Sequence, residues 1–83
     1  MSTKGKLIER FKTLPKDFTF NELVAVFNSC GFKVNNKGAT SGSRVRLEKG
    51  NDYYNLHRPH PSNVIKRGAL KNALAYLQGL KLV

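Results

Sequence analysis

The chain has little of three residue types that mark other classes of protein: cysteine, acidic residues and histidine. A single cysteine cannot form an internal disulfide, and no Cys/His cluster has zinc-ligand spacing, so a reducing compartment is expected. No apolar run approaches the roughly 18 residues of a transmembrane helix. Residues 1–6 are too polar to open a signal peptide. We therefore expect a cytoplasmic protein that needs no metal or other cofactor.

The shortage of acidic residues leaves a strongly basic chain. Fifteen Lys/Arg stand against five Asp/Glu, which gives a formal charge of +10. An excess of this size favours a polyanionic partner or an acidic protein, and nucleic acid is the first expectation. The basic residues run from Lys4 to Lys81, so they do not form a separate basic arm. No two carboxylates have catalytic spacing, which argues against metal-dependent nuclease chemistry.

The length and the apolar content predict a single folded domain over residues 1–83. A chain of 83 residues buries only about 60–65% of its unfolded surface, so a small core and one ligand surface are expected. The 40% hydrophobic content, with five phenylalanines and three tyrosines, is typical of a folded chain rather than a disordered tail.

Three segments show helical periodicity. The first, residues 4–14, has Leu7, Ile8, Phe11 and Leu14 on one face and stops before Pro15. The second, residues 20–30, starts with Thr19 and Glu22 in the spacing of a capping box and is closed by Gly31; its Cys30 lies on the apolar stripe and is predicted to be core. The third, roughly 68–79, carries Leu70, Ala73, Leu74 and Leu77 on one face.

Apolar and polar residues alternate in three segments, as they do in strands. Residues 32–34 predict a short strand, 35–43 a polar loop, and "RVRLE" and "YYNLH" a hairpin about Gly50 and Asn51. This turn pairs Val45 with Leu56 and Leu47 with Tyr54 on the buried side. It pairs Arg46 with Asn55, and Arg44 with His57, on the solvent side.

The order of these elements predicts an α+β fold: a three-stranded antiparallel sheet with helices on one face and a short additional N-terminal helix. Its α-β-β-β-α core is similar to the order of the double-stranded-RNA-binding domain.

Over residues 18–80 the chain resembles the HicA toxins of bacterial HicA–HicB toxin–antitoxin systems. The resemblance rests on "TSGSRVRL", "LHRPHPSN" and "IKRGALKNALAYL" in this sequence order. It implies a double-stranded-RNA-binding-like fold, cleavage of mRNA that halts translation, and a HicB antitoxin that occludes the toxin. Many HicA members have Gly-Ser-His with a catalytic histidine, whereas here Arg44 follows Gly42-Ser43.

The candidate site follows from what metal-free RNA cleavage requires: a base for the 2′-OH proton and positive charge on the transition state. His57 is the candidate base, because histidine titrates near neutral pH. Arg44 is the second candidate catalytic residue, and it would hold the scissile phosphate with Arg46. His60, between two prolines, is interpreted as a structural turn residue. The remaining candidate RNA ligands are Asn55, Arg58, Lys66, Arg67 and Lys71.

Two other functions remain open from the sequence. The same fold could hold structured RNA without cutting it, and Arg44 in place of histidine is the residue that favours this alternative. The basic face could instead bind only an acidic protein partner. Binding of RNA at several salt concentrations separates the two, because contacts with phosphate give a steep salt dependence.

Overall fold

Three helices and three strands follow one another in the computed structural model, which describes residues 3–35, 44–57 and 63–83. The elements, in chain order, are α1 (Thr3–Lys12), α2 (Phe20–Ser29), β1 (Lys33–Asn35), β2 (Arg44–Lys49), β3 (Asp52–His57) and α3 (Arg67–Gly79). The strands form one antiparallel sheet in the order β1-β2-β3. The predicted α+β fold with an α-β-β-β-α core is confirmed, and its order is consistent with a double-stranded-RNA-binding-like fold. Strand β1 lies one residue later than predicted, so Asn35, predicted as the first residue of the loop at 35–43, is instead the last residue of the strand. The rest of that loop lies outside the described residues, as do Arg58 and His60.

The hairpin register is the predicted one. Val45 pairs with Leu56, and Leu47 pairs with Tyr54. Gly50 has φ +59, the left-handed conformation that a tight turn needs at this position. Leu47 of β2 and Leu56 of β3 are buried in the core. Because side chains alternate along a strand, the residues next to them in each strand point to the opposite face of the sheet.

The core lies between the inner face of the sheet and the helices. Phe27 of α2 stacks on Tyr54 of β3 with ring centroids 5.3 Å apart, and Tyr54 lies 4.8 Å from Tyr76 of α3. These ring contacts tie the sheet to both helices. Among the described residues, the side chains of the core are Phe11, Phe18, Phe20, Leu23, Val26, Phe27, Cys30, Phe32, Leu47, Leu56, Ile65, Leu70, Ala73, Leu74 and Leu77.

Helix α2 begins where its sequence predicts and ends one residue earlier than predicted. The Glu22 N–H donates to the Thr19 hydroxyl, and the Thr19 N–H donates to the Glu22 carboxylate at 2.8 Å, which completes a capping box. At the other end Gly31 has φ +100, and the Phe32 N–H donates to the Phe27 carbonyl at 2.9 Å. This is the Schellman arrangement, in which a left-handed residue satisfies the last carbonyls of the helix.

Helix α1 is shorter than the prediction of 4–14. It ends at Lys12, and Leu14 adopts a left-handed φ of 54°. Pro15 accounts for the difference, because a proline ring disfavours the right-handed helical conformation in the residue before it. The Leu14 N–H still donates to the Phe11 carbonyl at 3.0 Å, so this carbonyl near the end of the helix has a hydrogen-bond partner.

A short bridge joins the starts of α2 and α3, and the sequence analysis did not predict it. Thr19 pairs with Val64, the Phe20 N–H donates to the Asn63 carbonyl at 2.7 Å, and the Ile65 N–H donates to the Phe18 carbonyl at 2.8 Å. The segment before α3 is therefore fixed against the segment before α2.

Candidate functional site

The face of the sheet that points away from the core is polar. Along β3 the exposed residues Tyr53, Asn55 and His57 alternate with Tyr54 and Leu56, which point to the core. On β2, Arg46 and Glu48 lie on the same face, directly opposite Asn55 and Tyr53. On β1, Asn35 and Lys33 lie opposite Arg46 and Glu48 and extend this face to the third strand.

His57 lies at the end of this face and is exposed. Its backbone is paired with that of Arg44, as predicted, and both residues lie within regular strands without an intervening bulge. The two candidate catalytic positions are thus adjacent across the hairpin. This placement is confirmed, whereas their catalytic roles stay predictions.

Arg46 makes contacts that the sequence analysis did not predict. Its Nε donates to the Glu48 carboxylate at 2.8 Å, and its guanidinium carbon lies 4.2 Å from the centre of the Tyr53 ring. The Asn35 side-chain amide donates to the other Glu48 oxygen at 2.9 Å. We call Asn35, Arg46, Glu48 and Tyr53 the Arg46 cluster. Because Glu48 offsets part of the guanidinium charge, a phosphate that binds Arg46 competes with a carboxylate already in place.

The spacing in sequence contained a signal for this cluster. Arg46 and Glu48 are two residues apart on one strand and therefore on the same face. Tyr53 is opposite Glu48 and diagonal to Arg46, a separation that long and aromatic side chains can span. Asn55, a predicted RNA ligand, is exposed and lies directly opposite Arg46.

The other predicted RNA ligands in the described chain surround the start of α3. Lys66, Arg67 and Lys71 are all exposed. The first turn of the helix contains no acidic residue, and Lys66 at the N-cap makes no side-chain capping hydrogen bond. The free N–H groups and dipole of a helix start add to these positive charges in attracting an anion. Arg58 lies outside the described residues.

A separate group of charges lies where α1 meets α2. Arg10 donates to Glu22 and to Asp17, each at 2.6 Å, and its guanidinium lies 5.1 Å from the centre of the Phe18 ring. Burial acts to raise the pKa of Glu22, but the hydrogen bonds from the Thr19 N–H and from Arg10 outweigh it and hold that pKa below the ordinary value. These contacts fix α1 to the body of the fold.

The described part of the chain contains no group of three or more His, Cys, Asp or Glu that could hold a metal ion. Within the same residues, no helix is both long and apolar enough to cross a membrane. Cys30 is buried, as predicted, and this burial raises the pKa of its thiol.

The fold and its outer face define a small basic α+β domain of the double-stranded-RNA-binding-like order. Residues 20–78 match the family model described as the HicA toxin of bacterial toxin–antitoxin systems. The chain belongs to this family, and a family of toxin–antitoxin systems implies a cognate antitoxin as partner. The match runs from the first residue of α2 almost to the end of α3, so α1 lies outside it. No curated protein and no solved structure gives a significant match to the chain.

Proposed function

We propose that the chain is the toxin of a toxin–antitoxin pair and acts in the cytoplasm as a metal-independent endoribonuclease. It cleaves mRNA, blocks translation and is neutralised by a HicB-type antitoxin. Membership of the HicA family supports the toxin role. The observation that carries the chemistry is the exposed His57 paired with position 44 on a face of a protein with charge +10.

The proposed reaction is attack of a ribose 2′-oxygen on the adjacent phosphorus. His57 takes the 2′-OH proton as the new P–O bond forms. The bond to the 5′-oxygen breaks, and that oxygen takes a proton from solvent, which leaves a 2′,3′-cyclic phosphate. Arg44 stabilises the additional negative charge of the transition state, because a guanidinium offers two parallel donors to phosphate oxygens.

The remaining basic residues position the RNA. Arg46, Asn55 and Arg58 would contact it near the reacting phosphate. The group at the start of α3, Lys66, Arg67 and Lys71, would hold phosphates further along. Contacts with phosphate carry no sequence information, so we expect cleavage with little sequence preference.

The test is cleavage of a long unstructured RNA in EDTA by the parent chain and by His57→Ala. General-base catalysis contributes about 100- to 10,000-fold, so the variant should lose activity by that factor. Asn28→Ala, at an exposed position on α2, is the matched control and should cut like the parent. The 5′ fragment should end in a cyclic phosphate. A folded parent that neither cleaves RNA nor slows translation in a cell-free extract would refute the proposal.

A second candidate function is an RNA-binding module without catalysis. It is favoured by Arg44, which stands where many HicA members have the catalytic histidine of Gly-Ser-His. In that case the parent and His57→Ala should bind RNA equally well, and neither should cut it. Cleavage by the parent would exclude this alternative.

A further inference from the structure

Tyr53 is the most exposed aromatic residue in the described part of the chain. Half of its surface is accessible, whereas Tyr54 and Tyr76 are packed against the core. Its hydroxyl-bearing ring lies on the outer face of the sheet, and one side of that ring is covered by the Arg46 guanidinium. The exposed half of this side chain is available for contact with a ligand.

The Arg46 guanidinium is held in place from its other side. Glu48 binds its Nε, and Asn35 binds the second oxygen of the same carboxylate. The chain of contacts runs across all three strands of the sheet, so the arginine and the ring are arranged before any ligand arrives. A fixed ring with a guanidinium over one of its faces offers planar surfaces on which a nucleobase can stack, because both groups attract a π-face.

Strand β3 carries both Tyr53, the residue on which a nucleobase would stack, and His57, the candidate general base. Tyr53, Asn55 and His57 point to one face at intervals of two residues, which corresponds to about 7 Å per step and about 14 Å from Tyr53 to His57. An extended RNA strand that runs along β3 would pass all three side chains in turn. A nucleobase on Tyr53 would then hold the strand so that a phosphate further along it lies close to His57.

We propose that the outer face of the sheet binds single-stranded RNA, with one unpaired base stacked on the Tyr53–Arg46 pair. This inference rests on the proposed function and specifies its substrate: RNA whose bases are free rather than enclosed in a duplex. A base-paired helix hides its base faces in its own stacking and offers mainly phosphates and 2′-hydroxyls to a protein. The Tyr53–Arg46 pair adds nothing to the recognition of such a helix.

The charges of the face favour RNA over an acidic protein as the occupant. Glu48 already offsets the charge of Arg46, so the centre of the face is a flat aromatic surface rather than a concentrated cation. The whole chain still carries +10, which draws a polyanion to it. A ligand that combines a charged backbone with apolar base faces matches both features.

The test measures binding of a 2′-O-methyl RNA single strand, in which the attacking hydroxyl is blocked, by fluorescence anisotropy. Base stacking contributes about 1–3 kcal/mol, so Tyr53→Ala should weaken binding roughly 5- to 150-fold. Tyr53→Phe keeps the ring and should bind like the parent. Arg46→Lys keeps the positive charge but removes the planar guanidinium, so it should also weaken binding.

Two readouts separate stacking from a merely structural effect. Stacking releases no counterions, so the salt slope of Tyr53→Ala should equal that of the parent, whereas Lys71→Ala should lower the slope by about 1. A duplex of the same sequence should bind the parent and Tyr53→Ala equally. Tyr53→Ala should fold, because Tyr76 donates its hydroxyl to the Tyr53 backbone carbonyl, which the substitution leaves intact; urea midpoints check this.

The outcomes distinguish this inference from the proposed function. Tyr53-dependent binding without cleavage of ordinary RNA would support the inference and refute the nuclease. Cleavage by the parent together with unchanged binding by Tyr53→Ala would refute the inference and leave the nuclease standing. Equal loss of single-strand and duplex binding in Tyr53→Ala, or no binding of RNA by the parent, would also overturn the inference.

Discussion

Replacement of Phe11 by alanine tests whether α1, which lies outside the family match, is part of the folding unit. Phe11 is fully buried, and its ring centroid lies 5.7 Å from that of Phe18. Loss of a buried phenylalanine costs about 3–5 kcal/mol. A domain of 83 residues has a total free energy of unfolding of only about 4–12 kcal/mol. Phe11→Ala should therefore remove about a quarter or more of the stability, although the substitution lies far along the chain from the sheet face.

The assay is urea unfolding followed by circular dichroism, with the midpoint converted to free energy at an unchanged slope. Thermal unfolding should show a fall in Tm of about 12 °C or more. Lys12→Ala is the matched control, because Lys12 is the next residue of the same helix and is exposed; it should change stability by less than about 0.5 kcal/mol. A Phe11→Ala variant within about 1 kcal/mol of the parent would refute both the packing of α1 and our proposal that residues 1–83 form a single domain.

Three further predictions concern single residues away from the sheet face. Lys81 has a left-handed φ of 61°, so Lys81→Gly should raise the free energy of urea unfolding by about 0.5–1 kcal/mol; a loss would contradict this. The lowered pKa of Glu22 contributes stability above the ordinary carboxyl value of 4.5, and this contribution is lost as pH falls through the folded pKa. Glu22→Gln should accordingly flatten the acid limb of stability against pH, and an unchanged limb would contradict the assignment. Cys30 is buried with a raised thiol pKa, so it should react with a disulfide reagent many times more slowly in the native chain than in urea; equal rates would contradict its burial.

The sequence predicted most of the fold because its signals are local. The Thr19–Glu22 pair and Gly31 define α2 by the hydrogen bonds of its two ends. The hairpin register followed from a two-residue turn and from the requirement that apolar side chains share a face. The ends of the elements are set partly by effects other than apolar periodicity. Helix α1 ends at Lys12 because Pro15 disfavours the helical conformation in the residue before it.

The bridge between Val64 and Thr19 joins residues far apart in the chain, so no local pattern could predict it. It matters for the site because it anchors the segment that leads into α3, where Lys66 and Arg67 lie, to the segment that leads into α2. The placement of a second set of candidate phosphate ligands thus depends on two backbone hydrogen bonds in otherwise irregular segments.

The contacts of Arg46 were also beyond the sequence analysis, for a different reason. The register places Glu48 and Tyr53 within reach of Arg46, but an exposed arginine has many rotamers and several partners of similar energy. Only the positions of the side chains show that Asn35 and Glu48 fix it over the ring. Arg46, predicted as a phosphate ligand, already contacts a carboxylate and an aromatic ring, and its role in binding RNA stays a prediction.

Under the proposed function, the distribution of the ion pairs separates two kinds of RNA-binding residue. In residues 3–35, 44–57 and 63–83, the three salt bridges all use Arg10 or Arg46, and none uses a lysine. Exposed lysines without such an ion pair are expected to bind phosphate with a steep salt dependence. In the proposed complex, the Arg46 cluster contributes at short range, through contact with a nucleobase. Substitution of an exposed lysine should change how affinity depends on salt, whereas substitution of Tyr53 should change affinity at every salt concentration by the same factor.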